Sequence, residues 1–460
     1  MNRRFLAATA ALASLALMVS GCGADGEDPA EPETPADATA TEAPADEGTD
    51  EGTDEGTDEA DGEPQGEITL AGWSLSTTPE FQTLADGFNA TNPDYTVTVA
   101  EYQAGDDYDT QMITDLAAGT APDVYVIKNL KNFYTYADGD QLLDVSDIAG
   151  TLDNESVSFY EYDGGTYAIP YRQDAWFLYY NMDLFDAAGV EHPDGSWTWD
   201  DYAAVAAELS ENLEGDVRGT YHHAWQSVVQ GFANSQSGAD VLTGEFDHFK
   251  PYYQRALEMQ DAGAMENYGT VTTNSLSYQA QFGTQKAAML PMGSWYIATL
   301  VAQQASGEAE DFAWGIAPAP QQDSSTAGIE NSPVTFGDPT GMGINPAIDD
   351  AKLETAEAFL AYVASEEGST ALADIGITPS VMSADVTESF FQLEGIATDE
   401  LSQATFENRT VFPENPVGEH TAAIQNLLNE VHSAVLSGSE PVDDAFDRAQ
   451  ERAQNEIINR

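Results

Sequence analysis

The chain has one cysteine, Cys22, among 460 residues. Intramolecular disulfides are thereby excluded, and so are metal sites built on several thiolates. Positive charge is also scarce: 14 lysines and arginines face 80 acids, for a formal net charge of −66. Nucleic acid needs a basic footprint and an anionic lipid surface attracts basic segments, so neither is expected as a partner. Beyond Cys22 no apolar run is long enough to span a bilayer. Signatures of catalysis are missing too. The chain has no Gly-x-Ser-x-Gly elbow, no Walker phosphate loop and no His-Glu-x-x-His pair. Acid pairs abound, but in so acidic a chain they arise by chance and say little about glycoside hydrolysis. Neither a cofactor nor a metal is expected.

What is present begins with Arg3 and Arg4, an apolar run from Phe5 to Val19, and small residues ahead of Cys22. This pattern predicts a secretory signal peptide over residues 1–21. A lone cysteine at its end resembles a bacterial lipobox. That resemblance implies a lipidated Cys22 and a protein held at the extracellular face of the cell membrane through its lipid alone. Residues 22–66 are low-complexity and acidic, with Glu47-Gly48-Thr49-Asp50 echoed twice. Ordering them would cost entropy with no burial in return, so a disordered tether is expected. Their spacing lacks the alternating ligands and closing Glu of a calcium loop.

Folding is expected from about Glu67. Ile68 to Trp73 reads as a buried strand. After Pro79, the spacing of Phe81, Leu84, Ala85 and Phe88 predicts a helix. Tyr95 to Tyr102 alternates as a second strand. A second helix carries Tyr108, Met112, Ile113 and Leu116, and Asp123 to Ile127 is a third strand. Strands alternating with helices predict an α/β fold with a mainly parallel sheet. Ligands of such sheets sit beyond the carboxyl ends of the strands, which places Trp73, Ser74, Lys128 and Asn129 at a rim. Farther on, Thr198 with Asp201 three residues later predicts a capped helix start.

Five segments in order are similar to the extracellular solute-binding proteins of carbohydrate ABC importers, the maltose-binding-protein-like class. They are Trp73 with Thr78–Phe81 and Asn89–Pro93; Ala117–Val124; Gly165–Pro170 running through Leu178–Phe185 to Val190; Lys286–Met289 with Gly293–Trp295; and Glu357–Leu360 with Ser365–Gly368. The resemblance implies two α/β lobes of the type II binding-protein fold, each a mainly parallel sheet flanked by helices, with a ligand cleft between. It implies chain crossings near Tyr171–Ala175, Ile316–Pro320 and Ile375–Pro379. Lobe one is then 67–171 plus 321–374, and lobe two 172–320 plus 375–460. It also implies a monomer that binds a neutral sugar or oligosaccharide and delivers it to ABC permease subunits in the membrane. A surface-anchored glycoside hydrolase and a sensory or interaction lipoprotein remain as alternatives.

A sugar presents C–H faces to aromatic rings and hydroxyl edges to polar side chains. Trp295 is the leading stacking candidate, because the family often has an aromatic after that turn; a core tryptophan is the alternative. Asp174, at the first crossing, is either a ligand-binding acid or the ion-pair partner of Arg172, and Gln173 flanks it. Trp176 either lines the cleft or packs under its strand. Trp73 is a second platform or core. Trp225 lies where the family's second lobe contributes contacts. Its neighbours His222 and His223 are adjacent, so they do not share a helix face as a metal pair would. Asn129 and Asp338 complete the expected rim.

Overall fold

The computed structural model describes residues 66–460 except 77 and 105. The signal peptide, Cys22 and all of the tether but Gly66 lie outside the described residues. Strands β1 (Glu67–Trp73), β2 (Thr96–Tyr102) and β3 (Val124–Ile127) alternate with helices Glu80–Thr91 and Asp106–Ala118. In the first helix Phe81, Leu84, Ala85 and Phe88 are all buried, as their spacing requires. In the second, Tyr108 and Met112 are buried, but Ile113 is 47 % exposed. Ile113 follows Met112 by one residue, a rotation of about 100°, and so turns off the core face. Next come a short ribbon of β4 (Glu161–Tyr162) and β5 (Gly165–Thr166), then β6 (Ile169–Gln173) and β7 (Trp176–Asn181). The later strands are β8 (Met289–Gly293), β9 (Trp314–Ala317), β10 (Val334–Phe336), β11 (Pro339–Ile344) and β12 (Thr410–Phe412).

Five strands form one sheet in the order β2-β1-β3-β11-β6. β1 runs parallel to β2 and β3, in step with β2 from Glu67↔Thr96 to Trp73↔Tyr102. β11 runs antiparallel to both β3 and β6. A second sheet, β8-β7-β9, is antiparallel at both pairings. The expectation of a mainly parallel sheet in each lobe therefore needs correction for the second. The physical reason lies in the connections. β8 and β9 are joined by the helix Tyr296–Ser306 and share a direction, as a strand–helix–strand unit does. β7 enters from the other sheet and runs outward between them. β11 does the same in the first sheet.

Two separate hydrophobic cores follow the two main sheets. One is built around Ile68, Phe81, Phe88, Tyr125, Ile169, Met342 and Phe359. The other holds Trp176, Tyr179, Trp199, Phe232, Tyr253, Leu290, Phe336 and Leu428. The chain leaves the first core after Tyr171 and enters the second at Ala175. It returns between Phe336 and Met342, and after Ile377 it passes back to the second core. The return expected at residue 321 comes instead between Phe336 and Met342, farther along the chain. Gln321 bridges to Thr198 and accepts from Val334 N–H, which ties residues 318–336 to the second lobe. At the hinge Pro339 pairs with Gln173 and Thr340 with Arg172, with a register shift at Gly341. Arg172 also bridges to Pro379. Three segments of chain therefore cross side by side. Gly337 permits this, since a Cβ there would overlap the Asp174 carbonyl oxygen.

Candidate functional site

The register of the sheets fixes where the carboxyl ends of their strands point. Ile127, at the end of β3, pairs with Gly341 near the start of β11, beside the hinge. Gly293, at the end of β8, pairs with Trp176, three residues past the end of β6. Both sheets thus present their carboxyl ends to the hinge, where ligands of α/β sheets bind.

From the second lobe comes an aromatic wall. The turn after β8 places the Trp295 ring against Gly293, where any Cβ would overlap it. The Trp295 ring meets Trp176 edge-on at 5.5 Å and lies 6.3 Å from Trp225. Trp225 is 40 % exposed, unusual for so large an apolar side chain in this protein. Its buried edge is fixed by His223 at 4.4 Å and Tyr278 at 5.7 Å. His223 accepts or donates at Nδ1 with the Tyr221 hydroxyl, 3.1 Å away. Burial pushes the His223 imidazole down to about 4, so it is neutral near pH 7. Burial pushes Tyr278 up to about 12, against the pull of a hydrogen bond with Trp295 and of Arg172. The result is two indoles, one half-buried and one open, held by rigid neutral partners.

The hinge is polar, and its charges are paired. Arg172 Nη1 donates to Glu80 Oε1 and Oε2 at 2.7 and 2.8 Å, and its Nη2 donates to Thr340 Oγ1 at 3.2 Å. Its Nε lies 3.0 Å from Asp174 Oδ2. The Tyr171 hydroxyl donates to Glu80 Oε1 at 2.7 Å, and Ser294 donates to Asp174 Oδ1 at 2.9 Å. Burial raises the Asp174 carboxyl above its ordinary range, opposed by Arg172 and Ser294. Asp338 accepts from Leu130 N–H, Glu414 N–H, Asn415 N–H and Asn415 Nδ2. It thereby clips the loop after β3 to the segment Pro413–Pro416. Burial and the neighbouring Asp338 push Glu414 up to about 8.

From the first lobe, Trp73 is half-buried at the end of β1, edge-on to Phe81 at 4.8 Å and Tyr108 at 5.0 Å. Ser74 follows with a left-handed φ of 49°. Asn129 is half-buried, and its Oδ1 accepts from Lys131 N–H. Lys128 pairs with Asp109 at 3.1 Å.

The sequence candidates thus fall into two groups. Trp295, Trp225, Trp73, Asn129 and Gln173 retain exposure, while Trp176, Asp174 and Asp338 are 2, 4 and 7 % exposed. Gln173 accepts from Ser156 and donates to two backbone carbonyls. Trp176 stacks on Phe336 at 5.0 Å. Glu80, Tyr278, Ser294 and Glu414 escaped sequence reasoning. Glu80 read as an ordinary helix start, and Tyr278 carried no local signal at all. Among the described residues no group of three His, Cys, Asp or Glu is placed to hold a metal ion. Nor is any described helix long and apolar enough to cross a membrane.

Residues 74–370 match the family described as bacterial extracellular solute-binding protein. A sugar transporter of Rhizobium etli, solved in an open conformation, is 27 % identical with a TM-score of 0.71, covering 85 % of this chain and 99 % of that one. An ABC substrate-binding protein of Listeria monocytogenes, in complex with cycloalternan, is 22 % identical with a TM-score of 0.70, over 84 % and 98 % of the two chains. The sn-glycerol-3-phosphate-binding periplasmic protein of Escherichia coli (strain K12) is 28 % identical over 203 residues, 39 % of this chain and 45 % of that protein.

Proposed function

Because the chain belongs to the bacterial extracellular solute-binding protein family, we propose that it captures a neutral sugar or oligosaccharide outside the cell and delivers it to the permease of an ABC importer. The observation that carries this reading is the open indole of Trp225 beside Trp295, at the hinge end of the second sheet. Such a wall suits the C–H face of a pyranose. Trp73, Asn129 and Gln173 supply the facing contacts in this proposal, and Trp176, Asp174 and Asp338 hold the hinge behind them. Ligand bridging both lobes favours the closed state by its differential affinity. The work is binding, with no bond made or broken, and the energy comes from a separate ATPase. Lipidated Cys22 and the acidic tether would keep the monomer near its permease.

One relative is named for glycerol phosphate, an anion. Charge at this site favours a neutral cargo. Arg172 is matched by Glu80 and Asp174, and Lys128 by Asp109. An anion would also approach against a net charge of −66. Titration calorimetry with a panel of neutral sugars and sn-glycerol-3-phosphate tests the reading. A sugar response is expected, weakened ~30-fold in Trp225→Ala; this follows from about 80 Å² of apolar contact at ~25 cal/mol per Å². Silence with every sugar, or a preference for the phosphate, would overturn it.

A further inference from the structure

His223 lies between the buried Tyr221 and the open Trp225, in the loop ahead of the helix Ser227–Ser237. The Tyr221 N–H donates to the Met289 carbonyl of β8 at 3.0 Å, which anchors this loop to the second sheet. The Tyr221 hydroxyl lies 2.7 Å from the Leu276 carbonyl and 3.1 Å from His223 Nδ1. A carbonyl only accepts, so the hydroxyl donates its single proton to Leu276. Toward His223 it can then only accept, and Nδ1 must carry the proton. Burial holds this imidazole neutral near pH 7, with its pKa down to about 4. A neutral imidazole has one ring N–H, so Nε2 keeps a bare lone pair.

The direction of that lone pair follows from the ring. Nδ1 and Nε2 point to nearly opposite sides of an imidazole. Nδ1 is aimed at Tyr221, which is 1 % exposed, so Nε2 is aimed away from the core. Trp225 at 4.4 Å and Tyr278 at 5.4 Å, both edge-on, hold the ring in this pose. No described residue donates to Nε2, and it is not among the unpartnered side-chain atoms sealed from solvent. The neighbouring His222 differs: its Nδ1 is sealed, and its Nε2 meets the Tyr202 hydroxyl at 2.9 Å. An open acceptor thus sits beside the indole that offers the stacking face.

We propose that His223 Nε2 accepts a hydrogen bond from a ring hydroxyl of the sugar stacked on Trp225, and so selects a cargo whose hydroxyl there is free. This rests on the sugar reading above and names one polar determinant of it. An indole face packs on C–H groups and is nearly indifferent to which hydroxyls a pyranose carries. A single fixed acceptor is not. It disfavours a sugar whose hydroxyl there is removed or methylated, because the lone pair then loses its donor.

The test uses the full chain. Long-range proton–nitrogen NMR of the histidine rings, recorded without sugar, is expected to show Nδ1 protonated and Nε2 bare for the ring whose signals vanish in His223→Phe. Calorimetry then compares the wild type and His223→Phe with D-glucose, D-galactose, D-xylose, maltose and cellobiose, and with monodeoxy and mono-O-methyl derivatives of whichever binds. Phenylalanine keeps a ring against Trp225 and Tyr278 and removes both nitrogens; circular dichroism is the folding control. The sugar that binds is expected to lose about tenfold in affinity in His223→Phe. One monodeoxy derivative is expected to lose a similar factor in the wild type and nothing further in the variant, a coupling that a merely structural role would not produce. Should the variant fail to fold, the wild type decides: the sugar is expected to shift its Nε2 resonance, and that derivative is not. A proton on Nε2 in the free protein, unchanged affinity in a folded His223→Phe, or deoxy losses that simply add to that of the variant would overturn the inference. Silence of the wild type with every sugar would overturn the sugar reading itself, and this inference with it.

Discussion

Replacing Arg172 with methionine strands two carboxylates inside the hinge. Glu80 is 0 % exposed and Asp174 is 4 % exposed, and Arg172 lies within 3.0 Å of both. Glu80 would keep only the Tyr171 hydroxyl, and Asp174 only Ser294. Removing one partner from a buried pair costs about 3–5 kcal/mol, because the stranded charge stays desolvated. For lobes of this size that lowers Tm by roughly 6–20 °C. Adding Glu80→Gln removes one of the two stranded charges. The double variant is therefore expected to be ~2 kcal/mol more stable than the sum of the single changes. Differential scanning calorimetry of the four proteins measures this coupling. A Tm within 2 °C of wild type for Arg172→Met, or strict additivity in the cycle, would refute the idea that this triad holds the hinge.

Gly293→Ala forces the Trp295 ring off its seat, so sugar affinity should fall at least tenfold while circular dichroism stays unchanged; unaltered calorimetric affinity would argue that Trp295 is no part of the wall. Burial lowers His222 to about 4 and His432 to about 3. The unfolded chain therefore binds more protons between pH 6.5 and those values, and stability falls as pH drops through that window. The two histidines together contribute on the order of 6 kcal/mol of this loss by pH 4. The slope of Tm between pH 7 and 5 should be shallower in His432→Gln than in wild type, and an unchanged slope would contradict the assignment. Cys22→Ser should release the protein into the culture medium, as read by fractionation, since acyl methylenes each contribute about 0.8 kcal/mol to membrane binding; retention at the membrane would count against a lipid anchor.

Much of the first lobe was legible in contiguous residues. The strand Glu67–Trp73 and the buried stripe Phe81, Leu84, Ala85 and Phe88 follow from periodicity, which a short stretch carries by itself. The capping box at Thr198 is likewise local. Thr198 N–H donates to Asp201 Oδ2 at 2.9 Å, and Asp201 N–H donates back to Thr198 Oγ1. Ile113 shows the limit of such patterns, because one residue of offset turned it to solvent.

Composition alone decided that no disulfide holds this protein and that its field repels anions, since both follow from counting residues. Local spacing decided where helices and strands begin. Tertiary structure alone decided that β7 and β11 run against their neighbours, that the second crossing of the chain comes at Gly337 rather than Pro320, and that Asp174 and Asp338 are engaged with Arg172, Ser294, Leu130 and Asn415. It also brought Tyr278 and Trp295 to Trp225 across more than fifty residues of chain. The reason is the range of the forces involved. Helix and strand signals are short-range and repeat within a few residues, whereas pairing direction, burial of charge and aromatic contact depend on partners that only packing brings together.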